Sequence, residues 1–94
     1  MDLGIRGRVA MVAAGSKGLG RAAALALAAE GCAVSICGRG AEALAATRKE
    51  LEALGVPVLA MAADISSAGD LTRWHQATES ALGPVDILVT NTGG

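Results

Sequence analysis

A short glycine-rich turn carries the first chemical signal in this sequence. Gly15-Ser16-Lys17-Gly18-Leu19-Gly20 follows an apolar run and precedes an alanine-rich one. That pattern reads as a strand, a tight turn and a helix N-terminus. Glycines let a backbone approach a ligand closely. The first N–H groups of a helix have no partner inside it, and the dipole is positive at that end. Together these features suit a phosphate. Ser16 adds a hydroxyl donor and Lys17 a cation. Polar residues also stand at the ends of later apolar runs: Gly38-Arg39, Asp64-Ile65 and Asn91-Thr92-Gly93. The one histidine, His75, lies on a helical stripe beside Trp74 and reads as packed or partly exposed, not as a catalytic group.

These residues need elements to hold them in place. Arg8 to Ala14 reads as a first strand, apolar on both faces, which suits a parallel sheet covered on both sides. Gly18 to Glu30 reads as a helix with Ala22, Leu25, Ala26 and Ala29 on one stripe, stopped by Gly31. Ala33 to Cys37 is a second strand. Ala41 to Leu54 is a second helix, with Leu44, Leu51 and Leu54 inward and Arg48, Lys49, Glu50 and Glu52 mostly outward. Val56 to Ala63 is a third strand, with Pro57 near its start, where a missing N–H is tolerated. Ser67 to Asp70 has capping-box spacing, with Asp in place of Glu. The third helix then runs to about Leu82, with Leu71, Trp74, His75, Thr78 and Leu82 on one stripe. Val85 to Thr90 is a fourth strand. The order β-α-β-α-β-α-β implies an α/β fold with a parallel, doubly wound sheet and right-handed crossovers.

Several phosphate-binding turns resemble the first one. A P-loop needs Lys and Ser or Thr after its last glycine, and here Arg21 and Ala22 follow Gly20. Gly18-Leu19-Gly20-Arg21-Ala22-Ala23 matches the Gly-x-Gly-x-x-Ala of the common dinucleotide fold, but four residues separate it from the strand. Ala13-Ala14-Gly15-Ser16-Lys17-Gly18-Leu19-Gly20 resembles the Thr-Gly-x-x-x-Gly-x-Gly turn of the short-chain dehydrogenase/reductase family. Ala13 and Ala14 replace its Thr and first Gly. Asp64-Ile65 resembles the family's acidic residue after the third strand, and Leu88-Val89-Thr90-Asn91-Thr92-Gly93 its Leu-Val-Asn-Asn-Ala-Gly. The resemblance spans all 94 residues and looks like the 3-oxoacyl-carrier-protein-reductase-like members. It implies the N-terminal half of a Rossmann-type fold with strand order 3-2-1-4. It also implies cofactor contacts for Gly15, Ser16, Lys17, Gly18, Leu19 and Gly20, and for Asn91, Thr92 and Gly93. In that family the Asp64 carboxylate accepts from the adenine amino group, and the neighbouring N–H, on Ile65, contacts the ring. Asn91 holds the sheet centre and Gly93 admits the ribose.

The second strand bears on which nicotinamide cofactor is bound. An NAD-selective site has Asp or Glu at its end, bonded to the ribose 2′-OH. Here Gly38 and Arg39 stand there. No carboxylate at that place repels a 2′-phosphate, Gly38 leaves it room, and Arg39 offers it a planar fork. The expected cofactor is NADP(H), ahead of NAD.

Composition narrows the classes. The chain has 94 residues, 52% of them hydrophobic, and a net charge of −1. Without a basic run, nucleic-acid binding through a broad charged footprint is not expected. No apolar run is long enough for a membrane span, and the N-terminus lacks a signal-peptide pattern. Cys32 and Cys37 fall on opposite faces if both lie near one strand. They read as buried reduced thiols, and the expected compartment is the cytoplasm.

The family transfers hydride with a Ser and a Tyr-x-x-x-Lys pair, and this chain has no tyrosine. The sequence therefore reads as residues 1–94 of a dinucleotide-binding half-domain that continues in a longer protein. The parent is expected to be an NADP-dependent oxidoreductase acting on a small carbonyl or alcohol substrate. The alternative is a non-catalytic dinucleotide-binding module or sensor. With strand order 3-2-1-4, the fourth strand is an apolar edge (Val85, Ile87, Val89), and edges of that kind promote association. A homo-oligomer is expected.

Overall fold

The computed structural model describes residues 5–13 and 18–90. The elements are β1 (Val9–Val12), α1 (Gly18–Ala29), β2 (Ala33–Gly38), α2 (Ala41–Glu52), β3 (Val58–Ala62), α3 (Ala68–Leu82) and β4 (Ile87–Val89). All strand pairings are parallel and the sheet order is β3-β2-β1-β4. The doubly wound α/β architecture and strand order expected from the sequence are therefore present.

Pleating sends alternate residues to opposite faces, and two cores result. On one face Val12, Val34 and Ile36 pack with Ala24 and Ala28 of α1 and Leu44 and Leu51 of α2. On the other, Met11, Cys37 and Ala63 pack with Trp74 of α3. β1 and most of β2 are buried, as strands covered on both sides must be. Cys32 belongs to the first core and Cys37 to the second, so no disulfide can join them.

The structure corrects several details of the sequence reading. Ala22, Ala26 and Ala29 are exposed and Leu25 is half-buried. The buried stripe of α1 is Gly20, Ala24 and Ala28. An alanine-rich helix has little polar contrast to mark its inner face, and this helix presents its smallest residues to the sheet. Leu54 lies beyond the end of α2 and is 46% exposed, and Thr47 takes the buried place. β3 and β4 are shorter than expected at both ends, β1 starts one residue later, at Val9, and β2 runs one residue further, to Gly38. Pro57 lies just before β3, but its carbonyl accepts from Val34 N–H at 3.0 Å. His75 is exposed and lies 3.5 Å from Glu79.

The α3 N-cap forms in part as expected. Ser67 Oγ accepts from Asp70 N–H at 3.3 Å. The Asp70 carboxylate does not reach back to Ser67 as a capping box requires. It accepts from the Asp64 N–H at 2.9 Å, while Ser67 N–H bonds to Asp64 O. α3 thereby grips the loop that leaves β3.

Candidate functional site

Parallel strands bring their carboxyl ends to one edge of the sheet. β1 leads there towards α1, β2 ends at Gly38, β3 leads to Asp64, and β4 leads to Thr90. α1 and α2 cover one face and α3 the other. The direction in which successive strands are added therefore reverses at the β1–β4 boundary, and in open α/β sheets ligands bind in the crevice outside the strand ends at that point. The two ends are joined there by Ala13 N–H donating to Val89 O at 2.9 Å.

Gly15, Ser16 and Lys17, which follow β1 in the sequence, and Asn91, Thr92 and Gly93, which follow β4, lie outside the described residues. Gly18 opens α1 with φ +50°, a left-handed conformation that suits glycine. Leu19 is 77% exposed at the start of the helix. Gly20 is buried, which brings the α1 backbone close to the sheet. No acidic residue sits in the first turn of α1, so no carboxylate there competes for an anion.

The second cluster joins β2 to β3. Their register runs to Gly38↔Ala62, and Ala63 N–H extends it by bonding Gly38 O at 3.1 Å. The residues just beyond are therefore neighbours, and Arg39 Nη1 lies 3.9 Å from Asp64 Oδ2. Asp64 Oδ1 accepts from Ser66 Oγ at 2.6 Å and from Ser66 N–H at 2.9 Å. These two bonds, with the charge of Arg39, hold the Asp64 carboxyl below the usual aspartate range. Asp64 is thus a fixed, ionised acceptor at the strand edge. Ile65 is half-buried and packs against the Trp74 core.

Sequence reasoning singled out Asp64 and Arg39 but not the residues that hold Asp64. Ser66 and Asp70 do so, and Asp70 is itself ion-paired with Arg73. The spacing of Ser67 and Asp70 was the available signal, but it pointed to a cap within α3 alone. Among the described residues no group of His, Cys, Asp or Glu is placed to hold a metal, and no helix is long and apolar enough to cross a membrane.

Comparison with known proteins fits this geometry. Residues 8–94 match the family described as short chain dehydrogenase. The chain is 42% identical over 89 residues to a rhamnolipid-biosynthesis 3-oxoacyl-[acyl-carrier-protein] reductase of Pseudomonas aeruginosa, covering 95% of this chain and 34% of that protein. It is 38% identical over 89 residues to a glycine betaine reductase of Emericella nidulans, covering 95% of this chain and 7% of that protein. Its fold superposes on L-sorbose reductase of Gluconobacter frateurii, solved with NADPH and L-sorbose, at a TM-score of 0.93 and 35% identity. That match covers 100% of this chain and 36% of that one. The chain thus spans about a third of the bacterial reductases it matches.

Proposed function

Because the chain belongs to the short chain dehydrogenase family, we propose that it is the cofactor-binding portion of an oxidoreductase that uses NADP(H) in preference to NAD. The parent protein reduces a small carbonyl compound, or oxidises the corresponding alcohol. The bound nicotinamide dinucleotide supplies or accepts the hydride. The residues of this chain bind and orient it. The Gly15–Gly20 segment and the α1 N-terminus receive its phosphates, Asp64 and Ile65 its adenine, and Asn91, Thr92 and Gly93 contribute the remaining cofactor contacts.

One observation carries the NADP(H) assignment. Where an NAD-selective site has a carboxylate at the end of β2, this chain has Gly38 followed by the exposed guanidinium of Arg39. A planar guanidinium bonds a phosphate through two parallel N–H groups. The L-sorbose reductase of similar fold was solved with NADPH, which supports the same cofactor here. The chain has no tyrosine, so the family's catalytic Tyr would have to come from other residues of the parent.

The test is the ratio of NADPH to NADH affinity. A charge-assisted hydrogen bond is worth roughly 1.5–3 kcal/mol. Arg39→Ala should therefore weaken NADPH binding by about one to two decades and leave NADH binding nearly unchanged. An unaltered ratio in Arg39→Ala refutes the assignment.

A further inference from the structure

We propose that Asp64 tunes the cofactor preference of this site by competing with the ligand's 2′-phosphate for Arg39. This rests on the reading of Gly38-Arg39 as the 2′-phosphate end of the site. It adds a selectivity role to a residue assigned only to adenine.

The pairing is fixed by the sheet. Arg39 and Asp64 leave adjacent parallel strands whose register is held through Gly38↔Ala62 and the Ala63 N–H to Gly38 O bond. Asp64 cannot drift away. Its N–H is held by Asp70 Oδ2 and its Oδ1 by two bonds from Ser66. Its Oδ2 is the atom that faces Arg39, at 3.9 Å. Asp70, which holds the Asp64 N–H, is itself ion-paired with Arg73. Among the described residues, the carboxylate within ion-pair distance of the Arg39 guanidinium is that of Asp64.

The ion pair is open. At 3.9 Å, with 82% of the Arg39 side chain exposed, the guanidinium keeps N–H groups available to a ligand. A phosphate that binds them must also approach the Asp64 charge, and like charges repel at that range. A nucleotide with a free 2′-OH meets no such repulsion. Asp64 thus restrains the preference for the phosphorylated cofactor while holding the adenine of both.

Removing the charge separates these roles. Asp64→Asn weakens the adenine contact equally for both nucleotides, so that loss cancels in the affinity ratio. The NADPH-to-NADH affinity ratio of the full-length protein, measured by calorimetry, should rise about two- to fivefold in Asp64→Asn, the range of exposed ion pairs. Asp64→Ser, which is also neutral, should raise it likewise. In an Arg39→Ala background neither change should move the ratio by as much. A ratio unchanged in both neutral variants overturns the proposal. So does an equal rise with and without Arg39, since the coupling would then not pass through the guanidinium. A parent protein that binds neither nucleotide, or shows no preference for NADPH, overturns the cofactor reading and this proposal with it.

Discussion

Ser35 places a hydroxyl where water cannot reach it, in the middle of β2. Trp74 Nε1–H donates to Ser35 Oγ at 2.8 Å, and Thr78 Oγ1 donates to Trp74 O at 2.8 Å. Thr78 has spent its only hydroxyl hydrogen, so Ser35 supplies the one that bridges the two hydroxyls at 2.7 Å. The bonds close a ring between β2 and α3, and no buried side-chain polar atom among the described residues is left without a partner. The ring has a functional consequence, because α3 also carries Asp70, which holds Asp64. Ser35→Ala strips partners from the indole N–H and from Thr78 in a dry environment, which costs about 1–3 kcal/mol. Trp74 is the one aromatic residue of the chain, so its fluorescence reports unfolding without interference. The urea midpoint of Ser35→Ala should fall, and an unchanged midpoint would contradict the ring. The sequence showed Ser35 only as a polar break in an apolar strand. Its partners lie 39 and 43 residues away, and no local pattern pairs residues over that distance.

At the scale of elements, much was legible because the punctuation is strong. Apolar runs alternate with helical stretches, and glycines close the helices. Gly31 shows why such a stop is reliable. It has φ +92°, its N–H bonds Ala28 O at 2.9 Å, and its carbonyl accepts from Gly7 N–H at 3.0 Å. A side chain there is strained by the backbone, and a Cβ would also meet Arg6 Cγ at 2.9 Å. Arg6 is flexible and can move aside, so the backbone effect dominates. Gly31→Ala should destabilise the protein by about 1–2 kcal/mol, read as a lower Tm, and adding Arg6→Ala should restore little of it. Recovery of most of the loss would mean that the contact, not the conformation, was limiting. The face of α1 was less legible. Between Ala22 and Ala29 it contains only alanine and leucine, so hydrophobicity alone does not choose a side. What chooses is close approach, since Gly20, Ala24 and Ala28 let the helix lie near the strands. The cap of α3 misled for a related reason. Asp70 sits at the expected spacing, but its acceptor is used by the loop after β3, a tertiary partner.

For the molecule as a whole, two-sided winding places the candidate site and also leaves an apolar margin. The crevice lies where α1 and α3 depart to opposite faces, and Gly38-Arg39 and Asp64 border it on the β2–β3 side. On the other side β4 pairs only with β1 among the described strands. Leu88 on β4 is 59% exposed and Leu71 on α3 is 42% exposed. They line one groove with Met11, Thr72, His75 and Val85. β4 is three residues long, so its edge offers few backbone groups for pairing. The larger driving force is apolar, since full burial of one leucine is worth about 1.5–3 kcal/mol. The 94-residue chain by itself should therefore self-associate mainly through this groove. Sedimentation velocity should show species larger than the monomer. Leu88→Lys should shift them towards monomer, because a lysine on an edge strand removes apolar area and opposes pairing. Arg48→Ala, on the exposed outer face of α2, should leave the distribution as it was. A chain that remains monomeric at tens of micromolar, or one whose association ignores Leu88→Lys, would show that the margin is too small to hold a partner copy.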